Sequence, residues 1–156
     1  MLISHAFRPM IALEKELAAL YGAWAERFSS DKEASQLFAK LSREEAGHAS
    51  LIEYQQRIHQ KNRQFEKDVQ IESAAIETTI GEIRSLRTGA PPSSVAQAVS
   101  LALSMETSAA ETHFKNALRQ ANEEVARLLN TLGKEDGAHL AALKAFATKR
   151  GIPLPE

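Results

Sequence analysis

The sequence predicts an all-α protein, an antiparallel four-helix bundle built as two helical hairpins. Three observations carry this reading. Ala, Leu, Glu, Lys, Gln and Arg dominate the 156 residues and aromatic side chains make up only 6%, while the runs of Val, Ile, Thr and Tyr that build sheets are absent. Apolar residues recur at three- and four-residue spacing over four stretches of helical length. Turn-forming residues separate those stretches, and residues 88–92 are the firmest break.

The first helix is expected over about 8–28, where Met10, Leu13, Leu17, Leu20, Tyr21, Trp24 and Phe28 share one face. Ser29, Ser30 and Asp31 interrupt it, and Asp31 suits the N-cap of a second helix running to about residue 59, carried by Leu37, Phe38, Leu41, Leu51 and Ile52. Residues 60–92 differ in kind. The charged stretch KNRQFEKD leads into a weaker helical segment near 71–86, which TGAPPSS closes. Ser93 or Ser94 can cap a third helix through Val95, Val99, Leu103, Phe114 and Leu118; a fourth starts near residue 122, runs through Val125, Leu129, Leu132, Leu143 and Phe146, and ends at Gly151 and Pro153. A helix of about 25 residues spans roughly 38 Å, so the long connection can cross the bundle and return the chain for a third helix parallel to the second. One long crossover, here containing a short helix, is what the ferritin-like topology uses; an ordinary four-helix bundle with an extra helix in its linker is the competing reading. Residues 1–156 read as a single domain.

Nineteen basic against 20 acidic side chains leave a net charge of -1, which gives no uniform field to hold nucleic acid or an anionic membrane. No stretch of 18 apolar residues occurs, and the amino terminus lacks the apolar core of a secretion signal, so a cytoplasmic protein is expected. The chain has no cysteine. That excludes disulfides, thiolate chemistry and cysteine-ligated iron–sulfur centres within it, and electrons, where needed, come from an external donor.

The two hairpins resemble each other. Leu37, Leu41, Glu44 and His48 find the same residue types 91 positions on, at Leu128, Leu132, Glu135 and His139, and Leu13 and Glu14 pair with Met105 and Glu106 at an offset of 92. A buried carboxylate is costly unless it is paired or binds a metal, yet Glu14, Glu45, Glu106 and Asp136 all fall within apolar stripes, one on each helix. Glu45 and Asp136 each have a histidine three residues on, His48 and His139, and that step puts both side chains on one helix face. Two lone carboxylates plus two acid-x-x-His pairs form the ligand set of di-iron and di-manganese bundles. Carboxylates are hard and able to bridge two ions, and imidazole completes a site suited to iron, manganese or zinc. The competing reading is a helical interaction module whose acids pair with Arg and Lys. Glu16, Glu44, Glu111 and Glu135 are placed on helix flanks, and His5 and His59 in solvent.

The motifs ALEKELAALY, REEAGH, LSMETSAAETH and KEDGAH, one from each helix, resemble those of the rubrerythrin family of ferritin-like proteins, and the likeness covers nearly the whole chain. The resemblance implies that Glu14, Glu45, Glu106, His48 and His139 are metal ligands, with Asp136 standing where glutamate is usual, and that Tyr21 supports a ligand by hydrogen bonding. His113, where the second half mirrors Tyr21, would be a similar donor or a further ligand. No cysteine-bearing rubredoxin segment is present in the chain. The implied cofactor is two iron ions, with manganese, zinc or a mixed pair as alternatives. The implied activity is redox chemistry toward hydrogen peroxide or oxygen, as a di-iron peroxidase or oxidase served by an external electron donor; ferroxidase activity in iron handling is the alternative. A homodimer is expected from the resemblance.

Overall fold

The computed structural model describes residues 1–121 and 123–155, apart from the side chains of Ala109, Ala110, Glu111, His113 and Ala121. Its helices are α1 (Ile3–Arg27), α2 (Lys32–Lys61), α3 (Ala74–Thr88), α4 (Val95–Glu106), α5 (Ala109–Ala121) and α6 (Glu123–Arg150). No strand occurs among the described residues.

The predicted caps are in place. Asp31 accepts a hydrogen bond from the Ala34 amide at 3.1 Å, and Ser94 accepts one from the Gln97 amide at 3.1 Å. Each satisfies an amide that the first helical turn leaves without a partner. Gly151 takes a left-handed φ of 65°. Around it the Ile152 amide reaches back to Ala147 O at 2.9 Å and the Gly151 amide to Thr148 O at 3.2 Å, which closes α6 with a Schellman turn.

Named contacts fix the helix directions. Arg27 Nε donates to Pro92 O at 2.7 Å, Tyr21 Oη to Glu106 at 2.7 Å, and Lys115 lies 3.9 Å from Glu14, so α4 and α5 run antiparallel to α1. Arg150 pairs with Asp31 at 2.9 Å, while His139 faces Glu45 at 3.1 Å and His48 faces Glu135 at 2.7 Å, so α6 runs antiparallel to α2. The third helical unit is therefore parallel to α2, as the long crossover requires. The crossover starts beside the amino terminus, where the Val69 amide donates to Met1 O at 2.8 Å and the Ile3 amide to Lys67 O at 2.9 Å. It then climbs along α1 as α3, with Arg84 and Arg87 on Glu16. The core fills the space between the helices with Phe7, Leu13, Leu17, Trp24, Phe38, Leu41, Val99, Leu103, Leu129 and Leu143, among others.

Four details depart from the sequence reading. α1 begins at Ile3, nearly two turns before Pro9, because the crossover backbone anchors those first residues. The third helix is broken at Thr107 and Ser108 into α4 and α5. Leu51, assigned to the apolar stripe, is exposed. His59, placed in solvent, is fully buried. It lies between the rings of Phe7 and Phe65, and its Nδ1 donates to Gln55 O at 2.9 Å. Phe7 of α1 and Phe65 of the crossover cover it, the first a contact far apart in sequence.

Candidate metal centre

Halfway along the bundle the inward faces of four helical units meet. α1 supplies Glu14, α2 supplies Glu45 and His48, α4 ends on Glu106, and α6 supplies Asp136 and His139. Glu14, Glu45, His48 and His139 are at most 2% exposed. Burying so many ionisable groups is tolerated only when they compensate one another or hold a cation.

Glu45 lies at the centre. Its Oε2 is 3.0 Å from His48 Nδ1, and its Oε1 is 3.1 Å from His139 Nδ1. The two imidazoles stack across it with ring centroids 5.3 Å apart and planes at 17°. Around His48 Nδ1 stand Glu14 Oε2 at 3.7 Å and Asp136 Oδ1 at 3.8 Å; around His139 Nδ1 stands Glu106 Oε2 at 3.8 Å. Two groups of donors result, Glu14–Glu45–His48 and Glu45–Glu106–His139, and within each the ligating atoms lie within 4.8 Å of one another. Glu45 belongs to both, with one oxygen turned to each.

The donor set fits a pair of first-row divalent ions: hard anionic oxygens, one imidazole nitrogen per group, and a shared carboxylate between them. A second observation agrees. His139 Nδ1 is buried without a well-aligned hydrogen bond, although Glu45 Oε1 stands 3.1 Å away. A nitrogen so placed is open to an ion as well as to a proton.

Charge compensation is visible in the ionisation of the cluster. Burial alone would raise the Glu45 carboxyl, but His139, His48 and Glu14 hold it well below the usual carboxylate range. Burial likewise opposes a charge on His48, yet Glu14 and Glu45 push it up to about 11. His139 is raised too, against burial, by Glu45 and Glu106. His48 is therefore in its charged form at neutral pH when no metal competes for it, and His139 is shifted toward the charged form.

The six residues picked out from the sequence lie close together, and Tyr21 lies beside them: it is fully buried, and its hydroxyl donates to Glu106 Oε1 at 2.7 Å. The side chain of His113 lies outside the described residues. Asp136 is the least enclosed of the six, at 26% exposed, and its Oδ2 is turned to Lys115 Nζ at 2.6 Å. Sequence reasoning missed Lys115 and assigned Glu44 and Glu135 to helix flanks. Those two glutamates face the outer ring nitrogens of the opposite hairpin's histidine, Glu135 on His48 Nε2 at 2.7 Å and Glu44 on His139 Nε2 at 2.9 Å. Carboxylates in that place fix the tautomer and direction of a ligating imidazole. The signal was present, since Glu44 and Glu135 occupy matching positions in the repeat. A cavity of about 510 Å³ opens over this edge, lined by Gly47, Leu51, Ala138 and both histidines. No helix among the described residues is long and apolar enough to cross a membrane.

A family model described as Rubrerythrin matches residues 9–147. Comparison with curated proteins and with solved structures gives no match.

Proposed function

Since the chain belongs to the rubrerythrin family, we propose that it is a di-iron protein whose ligands are Glu14, Glu45, His48, Glu106, Asp136 and His139. The observation that carries this reading is the division of Glu45 between His48 and His139, one oxygen to each, at 3.0 and 3.1 Å. A carboxylate with one oxygen beside each histidine could serve two ions at once, whereas a structural ion pair needs only one partner. Bound iron supplies the capacity to exchange electrons with hydrogen peroxide or oxygen.

The chain's own residues prepare the place for it. The imidazoles surrender their Nδ1 protons as ligands must, and Glu44 and Glu135 hold the opposite ring edges while this happens. Tyr21 keeps Glu106 from rotating away. Apolar walls of Leu17, Leu41, Leu103 and Leu132, all buried, limit water around the carboxylates, so that charges inside act at close to full strength. The cavity over the histidine edges gives small oxidants a way in. With no cysteine in the chain, reducing electrons come from a separate donor.

The test is to load the protein with ferrous iron without oxygen, add hydrogen peroxide or oxygen in separate samples, and follow the ferric absorption and its loss on adding a reductant. The proposal expects oxidation by at least one of them and a return to the starting spectrum. Iron that binds but stays ferrous in both samples would leave a metal centre and remove the redox reading.

A further inference from the structure

Among the described residues Lys115 is the one buried lysine or arginine, 5% exposed in the middle of α5. Its ammonium is 2.6 Å from Asp136 Oδ2 and 3.9 Å from Glu14 Oε1. Both carboxylates border His48, whose Nδ1 is 3.7 Å from Glu14 and 3.8 Å from Asp136. A positive charge thus stands on one side of a centre that is otherwise nearly two-fold, with Glu14, Glu45 and His48 matched by Glu106, Glu45 and His139. An ammonium among carboxylates neutralises them much as a metal ion would. It also repels an ion arriving nearby and occupies an oxygen that ion would use.

We propose that Lys115 is a built-in cation that makes the two metal positions unequal: the position of Glu45, Glu106 and His139 fills first, and that of Glu14, Glu45 and His48 fills only as the ammonium gives up Asp136. The proposal rests on the metal-binding reading above and adds an order of filling to it. Space for the movement exists. Lys115 and Asp136 both line a second cavity of about 190 Å³, beside Glu106, Thr112, Arg119 and Gly133. Asp136 is suited to the part, because its shorter side chain and partial exposure let it alternate between Lys115 and an ion.

The experiment is titration of metal-free protein with manganese(II), counting free ion by its electron paramagnetic resonance signal, on wild type, Lys115→Met, Lys115→Arg and Glu14→Gln. Wild type should bind in two steps, the second weaker by roughly tenfold or more, as a unit charge a few ångströms away requires. Lys115→Met should strengthen the second step until the two nearly merge, while Lys115→Arg should keep them apart. Glu14→Gln should lose the weaker step and keep the stronger. Should the Met variant not fold without metal, Lys115→Gln replaces it, with circular dichroism confirming the fold. Equal steps in wild type, an unchanged ratio in the charge-removing variant, or loss of the stronger step in Glu14→Gln would each overturn the proposal and leave the metal centre standing. Absence of manganese binding in wild type and all variants would instead overturn the metal-binding reading, and this proposal with it.

Discussion

Replacing Glu45 by Gln keeps the shape of the side chain and removes the anion at the centre. In the metal-free protein both Glu45 oxygens face protonated ring nitrogens, at 3.0 and 3.1 Å. Glutamine can offer an oxygen to one ring, and its NH₂ then meets the other donor to donor, so at least one histidine must lose its proton or move. Holding a proton on His48 up to about 11 corresponds to at most about 5 kcal/mol at pH 7, at 1.36 kcal/mol for each pKa unit. Glu14 retains part of that, and loss of the proton relieves more, which leaves about 3 kcal/mol, the lower end for breaking a buried pair. For a chain of this length the melting temperature should fall by about 6–12 °C. Thermal melts followed by circular dichroism, at pH 7 with a chelator present, measure it. A variant that melts with wild type or above it would refute the claim that Glu45 compensates the two imidazoles.

The same ionisation predicts how metal-free stability varies with pH. His48 and His139 are raised above their ordinary value near 6.5, so their contribution is complete below that pH and is lost as pH rises through their raised values, about 11 for His48. Glu45 is lowered, so its contribution holds above about 4.5 and is lost in stronger acid. Urea melts across pH 4–10 should therefore give lower stability at both ends; stability that climbs steadily from pH 7 to 10 would contradict the histidine assignment. Metal should act in the opposite sense, because its binding releases imidazole protons: the rise in melting temperature produced by manganese(II) should grow between pH 6 and 8, and a rise independent of pH would count against histidine ligation. Tyr21→Phe leaves a carboxylate oxygen of Glu106 without its 2.7 Å donor and should cost about 1.5–3 kcal/mol in the metal-free protein, a loss that denaturant melts resolve. Asp31→Ala removes both the α2 cap and the ion pair with Arg150 and should cost about 1–2 kcal/mol without changing metal stoichiometry, which separates stability effects from effects on the centre.

Much of this was legible in the sequence because helical periodicity is a local signal. The stripe through Leu13, Leu17 and Trp24 placed Glu14 inside, and the three-residue steps from Glu45 to His48 and from Asp136 to His139 put each pair on one face before any partner was known. Caps at Asp31 and Ser94 and the turn at Gly151 are written in single residues. What stayed hidden depends on contacts between distant segments. His59 is buried because Phe7 of α1 packs on it from the far side of the sequence while Phe65 closes over it. Lys115 stands three residues before the buried Leu118 and is itself buried, but its long side chain makes a helical lysine look like a solvated flank by pattern alone. The break at Thr107 and Ser108 has neither glycine nor proline to announce it; its one local sign is Ser108 with a glutamate three residues on, a pattern that opens helices. Glu44 and Glu135 look like surface residues by periodicity, and they are partly exposed, at 39% and 51%, yet their carboxylates reach inward to the histidine of the other hairpin.

The central claim is that four carboxylates and two histidines from four helical units hold a pair of ions between them. It is tested most directly by equilibrium dialysis of the protein against excess ferrous iron without oxygen, followed by elemental analysis of wild type and Glu45→Ala. The account predicts about two irons per chain in wild type, as the ligand set of such bundles requires, and a clear loss in the variant, which lacks the residue common to both positions. A wild type that holds no iron, or a Glu45→Ala protein that still holds both ions, would contradict it.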